Sequence, residues 1–244
     1  MSEQNPKLCV AEFINSIKGI EDSKVLGVIR TGELDYSDFV PNWSDIDLFV
    51  ILEEMNITAV KTITRLTKSL SKKHNIHIGL ALMTSQEYYS TTPEVNCLKN
   101  LLMKKGFSYG RNNIEWGNLT PCELNLPNKL PSMIREVNYF KAYMRNGLRD
   151  LNEDELLRRI IKCAHYILLC SLLAEYPLLV DTKPNKALSE ELFHDFGLGF
   201  SIYDHISAIK KEFDTIVDAE SEAYVIADYL EKFLVYFYRR TTNV

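Results

Sequence analysis

The chain has 244 residues, of which 46% are hydrophobic and 25% are charged, and its formal net charge is -5 at pH 7. This length and composition are typical of a globular protein with a substantial core and exclude a disordered or fibrous chain. The acidic balance argues against a protein that binds polymeric nucleic acid through a broad basic surface, although a local basic cleft stays compatible with it.

The first half of the chain alternates between helical and strand patterns of hydrophobic residues. Such an alternation predicts a sheet with helices packed on it. In chain order we expect a helix, two strands, a helix, a strand, a helix and a short extended piece, at 10–20, 24–30, 45–52, 58–73, 76–83, 94–106 and 107–110.

After residue 130 the strand patterns stop and long amphipathic stretches follow. They predict a helical bundle or cap with helices at 132–149, 153–175, about 200–214 and 218–240. Pro127 and Pro131 disfavour a helix through the intervening segment. We therefore predict an α/β (α+β) domain with a mixed sheet at 1–126 and an all-α domain at 127–244.

Nothing in the sequence indicates a membrane or an oxidising compartment. The N-terminus lacks the pattern of a signal peptide, and the most apolar stretch, 166–180, is interrupted by Glu175 and Pro177. The five cysteines form no C-x-x-C pair and are expected to be free, buried or bystander thiols: Cys9, Cys97, Cys122, Cys163 and Cys170. We expect a cytoplasmic protein without a membrane partner.

Two acids stand where the second predicted strand begins, in "SDIDLFVIL". Residues two apart on a strand point to the same face, so Asp45 and Asp47 project side by side while Ile46 points into the core. Their repulsion is relieved by a divalent cation, and Mg²⁺ suits carboxylate oxygens and substrate phosphates. The alternative is a pair of solvated acids at a strand start, with Ser44 serving a turn.

The surroundings of the acid pair resemble the nucleotidyltransferase signature of the DNA polymerase β superfamily. The preceding strand ends at Thr31-Gly32, a polar loop of about a dozen residues follows, and Ser44 leads into the acid-apolar-acid strand. The form is similar to that of antibiotic adenylyltransferases and minimal nucleotidyltransferases, and the likeness covers about residues 8 to 115. It implies that Asp45 and Asp47 hold two Mg²⁺ ions and that Thr31, Gly32 and Ser44 bind the nucleotide phosphates.

The chain departs from that family in two places. Glu33 stands where a small serine is usual, which places a negative charge near a triphosphate. The strand that usually carries a third carboxylate, "NIHIGLALMT", carries none and offers His77 and Gly79 on one face. His77 is a candidate base or metal ligand or else a structural histidine, and Glu87 and Glu94 are more distant candidates for the missing acid.

The helical half carries three further features with two interpretations each. The first is a basic stripe on the helix predicted at 132–149, formed by Lys141, Arg145 and Arg149. It either faces phosphates or pairs with nearby acids. The second is the spacing of Arg159 and His165, which resembles the loose R-x4-6-H pattern of HEPN domains, a class that includes some ribonucleases. The alternative is that His165 is a structural residue at the edge of the core. The aromatic segment "YLEKFLVYFYRR" favours core packing or a dimer surface over base stacking.

The predicted function is Mg²⁺-dependent transfer of a nucleoside monophosphate, AMP from ATP or another nucleoside triphosphate, to a hydroxyl of an aminoglycoside-like small molecule or a protein. Asp45, Asp47 and His77 are the predicted catalytic residues. The alternative is a non-catalytic protein of the same fold, an antitoxin-like partner or a nucleotide sensor, with a homodimer possible in either case. A helical ribonuclease that uses Arg159 and His165 ranks below both.

Overall fold

The structure is a computed structural model that describes residues 5–20, 24–31, 39–89, 114–117, 129–175, 186–197 and 199–242. The chain divides into two compact units, Met1–Asn125 and Leu126–Val244. The first contains a sheet with helices, and the described part of the second is helical. This agrees with the α+β and all-α characters expected of the two halves.

A four-stranded mixed sheet organises the first unit, with strand order β3-β2-β1-β4. Its strands are β1 (Val25–Thr31), β2 (Ile46–Leu52), β3 (Ile78–Thr84) and β4 (Ile114–Gly117). β2 runs antiparallel to β1 and parallel to β3, while β4 runs antiparallel to β1. A parallel connection needs a long crossover, and helix α2 (Ile57–His74) provides it between β2 and β3.

The two faces of the sheet carry different packing because side chains alternate along each strand. One face packs against α2 and helix α1 (Pro6–Lys18) in a large apolar cluster that includes Phe13, Val28, Leu48 and Ile63. The other face carries a smaller cluster: Ile29, Phe49, Ile51, Met83 and Tyr88. Tyr88 belongs to the short helix α3 (Ser85–Tyr89).

Asparagine side chains fix the ends of α2. The Asn56 side chain accepts hydrogen bonds from the backbone N–H of Thr58 and Ala59, which satisfies two otherwise unpaired donors. Asn75 ends the helix in the left-handed conformation, with φ of 51°. The Asn75 cap fixes where α2 ends and therefore where the chain enters β3, directly after His77.

The described part of the second unit contains four longer α-helices and one short one. The longer helices are α4 (Lys129–Asp150), α5 (Glu153–Glu175), α7 (Ile202–Glu212) and α8 (Ala219–Thr242), and the short one is α6 (Lys186–Leu192). α5 packs against both α4 and α8. The aromatic segment of α8 buries Leu230, Phe233, Leu234 and Phe237, so the expectation of core packing is confirmed. Base stacking by these buried rings is excluded.

The observed elements match most of the predicted ones and add three short ones. Strands β1, β2 and β3 and the six helices predicted outside 94–106 lie where the periodicity places them. The short elements α3, α6 and β4 have no counterpart in the sequence-based expectation. The predicted helix at 94–106 and extended piece at 107–110 lie outside the described residues. Among the helices described, none is both long and apolar enough to cross a membrane.

Three of the five cysteines lie in the described residues, and all three are free and buried: Cys9, Cys163 and Cys170. Burial raises the pKa of the Cys9 thiol to about 11 and that of Cys163 to about 12. Both are therefore protonated and unreactive at neutral pH. Cys97 and Cys122 lie outside the described residues.

Candidate metal and nucleotide site at the start of strand β2

The acid pair lies on the sheet face that faces away from α1 and α2. Ile46 and Leu48 belong to the large cluster under those helices, so the alternation along β2 directs Asp47 to the opposite face. Asp45 directly precedes the strand, and 44% of its side chain is exposed. The Asp45 carboxylate is thus accessible where β2 begins, and Asp47 beside it is partly exposed.

The pairing of β1 with β2 places the end of β1 beside the acids. Thr31, the last residue of β1, is buried and lies directly opposite Asp47. Gly32 is the next residue in the chain, and both Gly32 and Glu33 lie outside the described residues. Of the predicted phosphate-binding residues, Thr31 is therefore placed next to the acid pair.

Ser44 is buried in a turn that leads into Asp45. Its hydroxyl oxygen accepts a hydrogen bond of 2.9 Å from the backbone N–H of Val40, and its own N–H donates to the Val40 carbonyl at 2.8 Å. Asn42, within the turn, has a positive φ of 63°. Ser44 thus shapes the site by holding the backbone that presents Asp45.

Gly79 is the neighbour of Asp47 on β3, and its role was not recognised from the sequence. The two residues are register partners in the parallel pair. A β-carbon built on Gly79 would lie 2.5 Å from Oδ1 of Asp47, which is closer than such atoms approach. The Asp47 carboxylate therefore occupies the space over Gly79, a close approach that an isolated glycine in a strand pattern can indicate.

His77 lies beside Asp45 at the entrance to β3. Its backbone carbonyl accepts a hydrogen bond from the N–H of Ile46, which aligns the starts of the two strands. Its Nδ1 lies 3.7 Å from Oδ2 of Asp45, and its side chain is 76% exposed. At this separation the ring interacts with the acid electrostatically when protonated but is too distant for a direct hydrogen bond.

Glu87 does not supply the third carboxylate. It follows the far end of β3, and its carboxylate accepts a hydrogen bond of 2.7 Å from the N–H of Thr84. Because Thr84 pairs with Leu52, five positions along β2 from Asp47, Glu87 lies roughly 17 Å along the strands from the acid pair. Its role is to cap α3, and Glu94 lies outside the described residues.

The chemistry of the acid pair fits a hard divalent cation. Two partly exposed carboxylates match the way Mg²⁺ is usually held, by one or two acids with water and substrate phosphate oxygens completing the coordination. Within the part of the chain that the structure describes, no group of three histidine, cysteine or acidic side chains forms a complete protein cage. The chemistry of the two acids fits a divalent cation such as Mg²⁺.

The basic stripe on α4 pairs with neighbours within its own unit. Nε and Nη2 of Arg145 each donate to the Glu231 carboxylate at 2.7 Å. Arg149 donates to Asp150 at 2.6 Å. Lys141 donates to Tyr238 at 3.1 Å. The pairing of Arg145 and Arg149 with acids agrees with the interpretation of a paired, solvated stripe. Phosphate binding by this stripe stays a prediction.

We expect Glu231→Gln to lower the free energy of unfolding by no more than about 1 kcal/mol, because exposed ion pairs contribute little. The bidentate bond with Arg145 lowers the pKa of Glu231. Its stabilisation is therefore present above the ordinary glutamate pKa of about 4.3 and is lost as the pH falls through the lower folded-state pKa. Thermal unfolding of wild type and variant at pH 7 and below pH 4 measures this difference, and a difference that grows in acid would contradict the assignment.

Arg159 and His165 on α5 are directed to different surroundings. The Arg159 guanidinium lies 4.2 Å from the centre of the Tyr143 ring, and a β-carbon on Gly147 would meet the Arg159 side chain at 2.7 Å. His165 is exposed and contacts Tyr166 edge-to-face. His165 is therefore an exposed residue beside the buried Ile161 and Leu168, which agrees with a position at the edge of the core. Arg159 has a packing role on α4.

No protein-family model matches the chain. No curated protein matches it either.

Proposed function

We propose that the protein is a Mg²⁺-dependent nucleotidyltransferase that transfers a nucleoside monophosphate, AMP from ATP in the first instance, to an acceptor hydroxyl. The observation that carries the proposal is the pair Asp45 and Asp47, both partly exposed, at the start of β2. Asp47 lies between Thr31 on one neighbouring strand and Gly79 on the other. The family resemblance of the segment ending in "SDIDLFVIL" gives the same reading.

Each residue has a defined part in this proposal. Asp45 and Asp47 would hold two Mg²⁺ ions, and Gly79 leaves the space that the Asp47 carboxylate needs. When bound, the ions activate an acceptor oxygen and neutralise the triphosphate and the pyrophosphate leaving group. The chain after Thr31, beginning at Gly32, would approach the phosphates, and the Ser44 turn keeps Asp45 in position.

His77 is the proposed proton acceptor for the incoming hydroxyl, since it is the exposed titratable group beside Asp45. We expect His77→Gln to leave nucleotide affinity unchanged and to lower the transfer rate by about 10²–10⁴-fold, the usual contribution of a general base. Single-turnover transfer and equilibrium binding, measured on the same preparations, separate the two effects. A variant with weaker nucleotide binding and unchanged transfer would remove His77 from this role.

The transfer itself is tested by incubation with nucleoside triphosphates labelled at the α-phosphate, Mg²⁺, and a panel of aminoglycoside and protein acceptors. The proposal expects label in an acceptor and release of pyrophosphate, both lost in Asp45→Asn/Asp47→Asn. Release of labelled monophosphate without any labelled acceptor would indicate hydrolysis instead.

A second candidate is a protein that binds nucleotide and does not transfer it, a sensor or antitoxin-like regulator. It is favoured by β3, whose positions on the Asp47 face carry Gly79, Ala81 and Met83 where relatives of the proposed family present an acid. Nucleotide that binds with Mg²⁺ and is recovered unchanged after long incubation with the acceptor panel would support this candidate over the enzyme.

A further inference from the structure

Helix α2 concentrates positive charge in an otherwise acidic chain. Its 18 residues include five lysine or arginine residues and no acid, against a net charge of -5 for the whole protein. Four of the five, Lys61, Arg65, Lys68 and Lys72, follow one another at intervals of four, three and four residues. Those intervals place them on a single stripe of the helix, which we call the basic face.

The basic face is exposed and lies opposite the buried side of α2. Ala59, Ile63 and Leu70 pack into the core, while all four basic residues are exposed. None of the four makes an ion pair or a hydrogen bond with the described residues, whereas Lys73, on another side of the helix, binds Glu12 at 2.6 Å. Like charges three and four residues apart repel, so this arrangement costs stability unless an anion binds.

A groove of about 580 Å³ lies beside the basic face, between α2 and β3. Lys68 and Lys72 line it, together with the hydroxyl residues Thr64 and Ser71 and the apolar side chains of Ile78 and Leu80. Its volume is in the range of small-molecule sites, and its lining combines apolar surface with a few polar groups. A planar, partly apolar ring with polar edges, such as a nucleobase, fits this lining.

We propose that the basic face and the adjoining groove bind single-stranded nucleic acid. The four cations extend over roughly 16 Å of helix, since each residue adds 1.5 Å, so one phosphate cannot contact all of them but successive phosphates of a strand can. The groove would take an unpaired base, and the hydroxyls beside it can donate to phosphate oxygens. A duplex keeps its bases stacked, and a lipid surface has no ring that could enter the groove. A single strand supplies both phosphates for the basic face and an unpaired base for the groove.

The basic face lies apart from the acid pair and goes beyond the proposed transferase activity, while the groove shares one lining residue, His77, with the proposed transferase site. The basic face belongs to the helix layer, whereas Asp47 lies on the opposite face of the sheet. Binding is therefore expected without nucleoside triphosphate and without Mg²⁺. An experiment in EDTA tests the surface whether or not the protein transfers nucleotides.

The test is fluorescence anisotropy of a labelled 12-nucleotide single strand with the full chain, in EDTA, over a range of salt. Four phosphate contacts predict a slope of log K against log salt of about -2.8, and Lys68→Gln/Lys72→Gln reduces it by about 1.4 and weakens binding by about 25-fold at 0.1 M salt. The matched control Lys18→Gln/Lys211→Gln removes the same charge from exposed positions elsewhere and is expected to bind as wild type does. Asp45→Asn/Asp47→Asn is also expected to retain binding.

Three results would overturn the proposal. One is no detectable binding of the single strand at low salt. Another is equal weakening in Lys68→Gln/Lys72→Gln and in the Lys18/Lys211 control, which would indicate only net charge. The third is tighter binding of a duplex of the same length, or of phosphatidylserine vesicles, than of the single strand, which would assign the face to a different partner. Circular dichroism confirms that each variant is folded.

Discussion

Asp45→Asn/Asp47→Asn is expected to abolish Mg²⁺-dependent nucleotide binding while leaving the fold intact. Two neutral amides cannot replace two carboxylates as ligands for a hard cation. At a nucleotide concentration 100 times the dissociation constant, wild type gains about 2.7 kcal/mol of stability from the ligand, and the variant gains none. Thermal unfolding with and without nucleotide and Mg²⁺ measures both quantities.

Without ligand, the same variant is expected to be as stable as wild type or slightly more so. The two acids lie at an accessible strand start, and removing their charges relieves a repulsion between them. The matched control is Glu53→Gln/Glu54→Gln, which removes two exposed acids at the other end of β2. A control that also loses the ligand-induced shift, or an acid-pair variant that keeps it, would place the nucleotide elsewhere.

Gly79→Ala is expected to weaken metal-dependent nucleotide binding by about 10–100-fold. This is the usual loss of affinity when a residue that positions a metal ligand is changed. The added β-carbon lies 2.5 Å from Oδ1 of Asp47, so the carboxylate must turn away. The moving atom is the end of a side chain, and alanine is favoured over glycine within a strand by about 0.5–1 kcal/mol. The free energy of unfolding is therefore expected to change by less than about 1 kcal/mol.

Calorimetry of nucleotide binding and urea unfolding of the same variant check the two halves of this expectation. Gly19→Ala is the matched control, since its β-carbon would meet its nearest neighbour, the Ser16 carbonyl, at an ordinary 3.5 Å. Normal nucleotide affinity in Gly79→Ala would show that the observed Asp47 orientation is not the binding one. A large loss of stability would show that Gly79 is needed for the packing of the strand itself rather than for the position of the Asp47 carboxylate.

Hydrophobic periodicity was sufficient to predict the strands that position the site. The alternation in 46–52 predicts Ile46 and Leu48 in the core and Asp47 on the other face, and the structure places them there. The long helices are equally well marked by their apolar stripes. Short elements such as β4, with four residues, are too brief for a periodic pattern to distinguish.

The partners of charged residues could not be predicted, because they depend on contacts distant in sequence. Arg145 and Glu231 lie 86 positions apart, and only the packing of the second unit brings them together. Gly79 was noted merely as a residue without a carboxylate, since its approach to Asp47 depends on the register of two strands. Net charge was the least informative quantity, because a total of -5 conceals the four cations of α2 that have no acidic partner among the described residues.

The central claim is that the acid pair forms a metal-dependent nucleotide site, and titration calorimetry tests it most directly. The wild-type protein is titrated with ATP, GTP, CTP and UTP, each in Mg²⁺ and in EDTA. The account predicts that one of the four binds in Mg²⁺, that EDTA abolishes the binding, and that Asp45→Asn/Asp47→Asn does not bind it. Binding of none of the four, or binding of equal strength in EDTA and in the acid-pair variant, would contradict it.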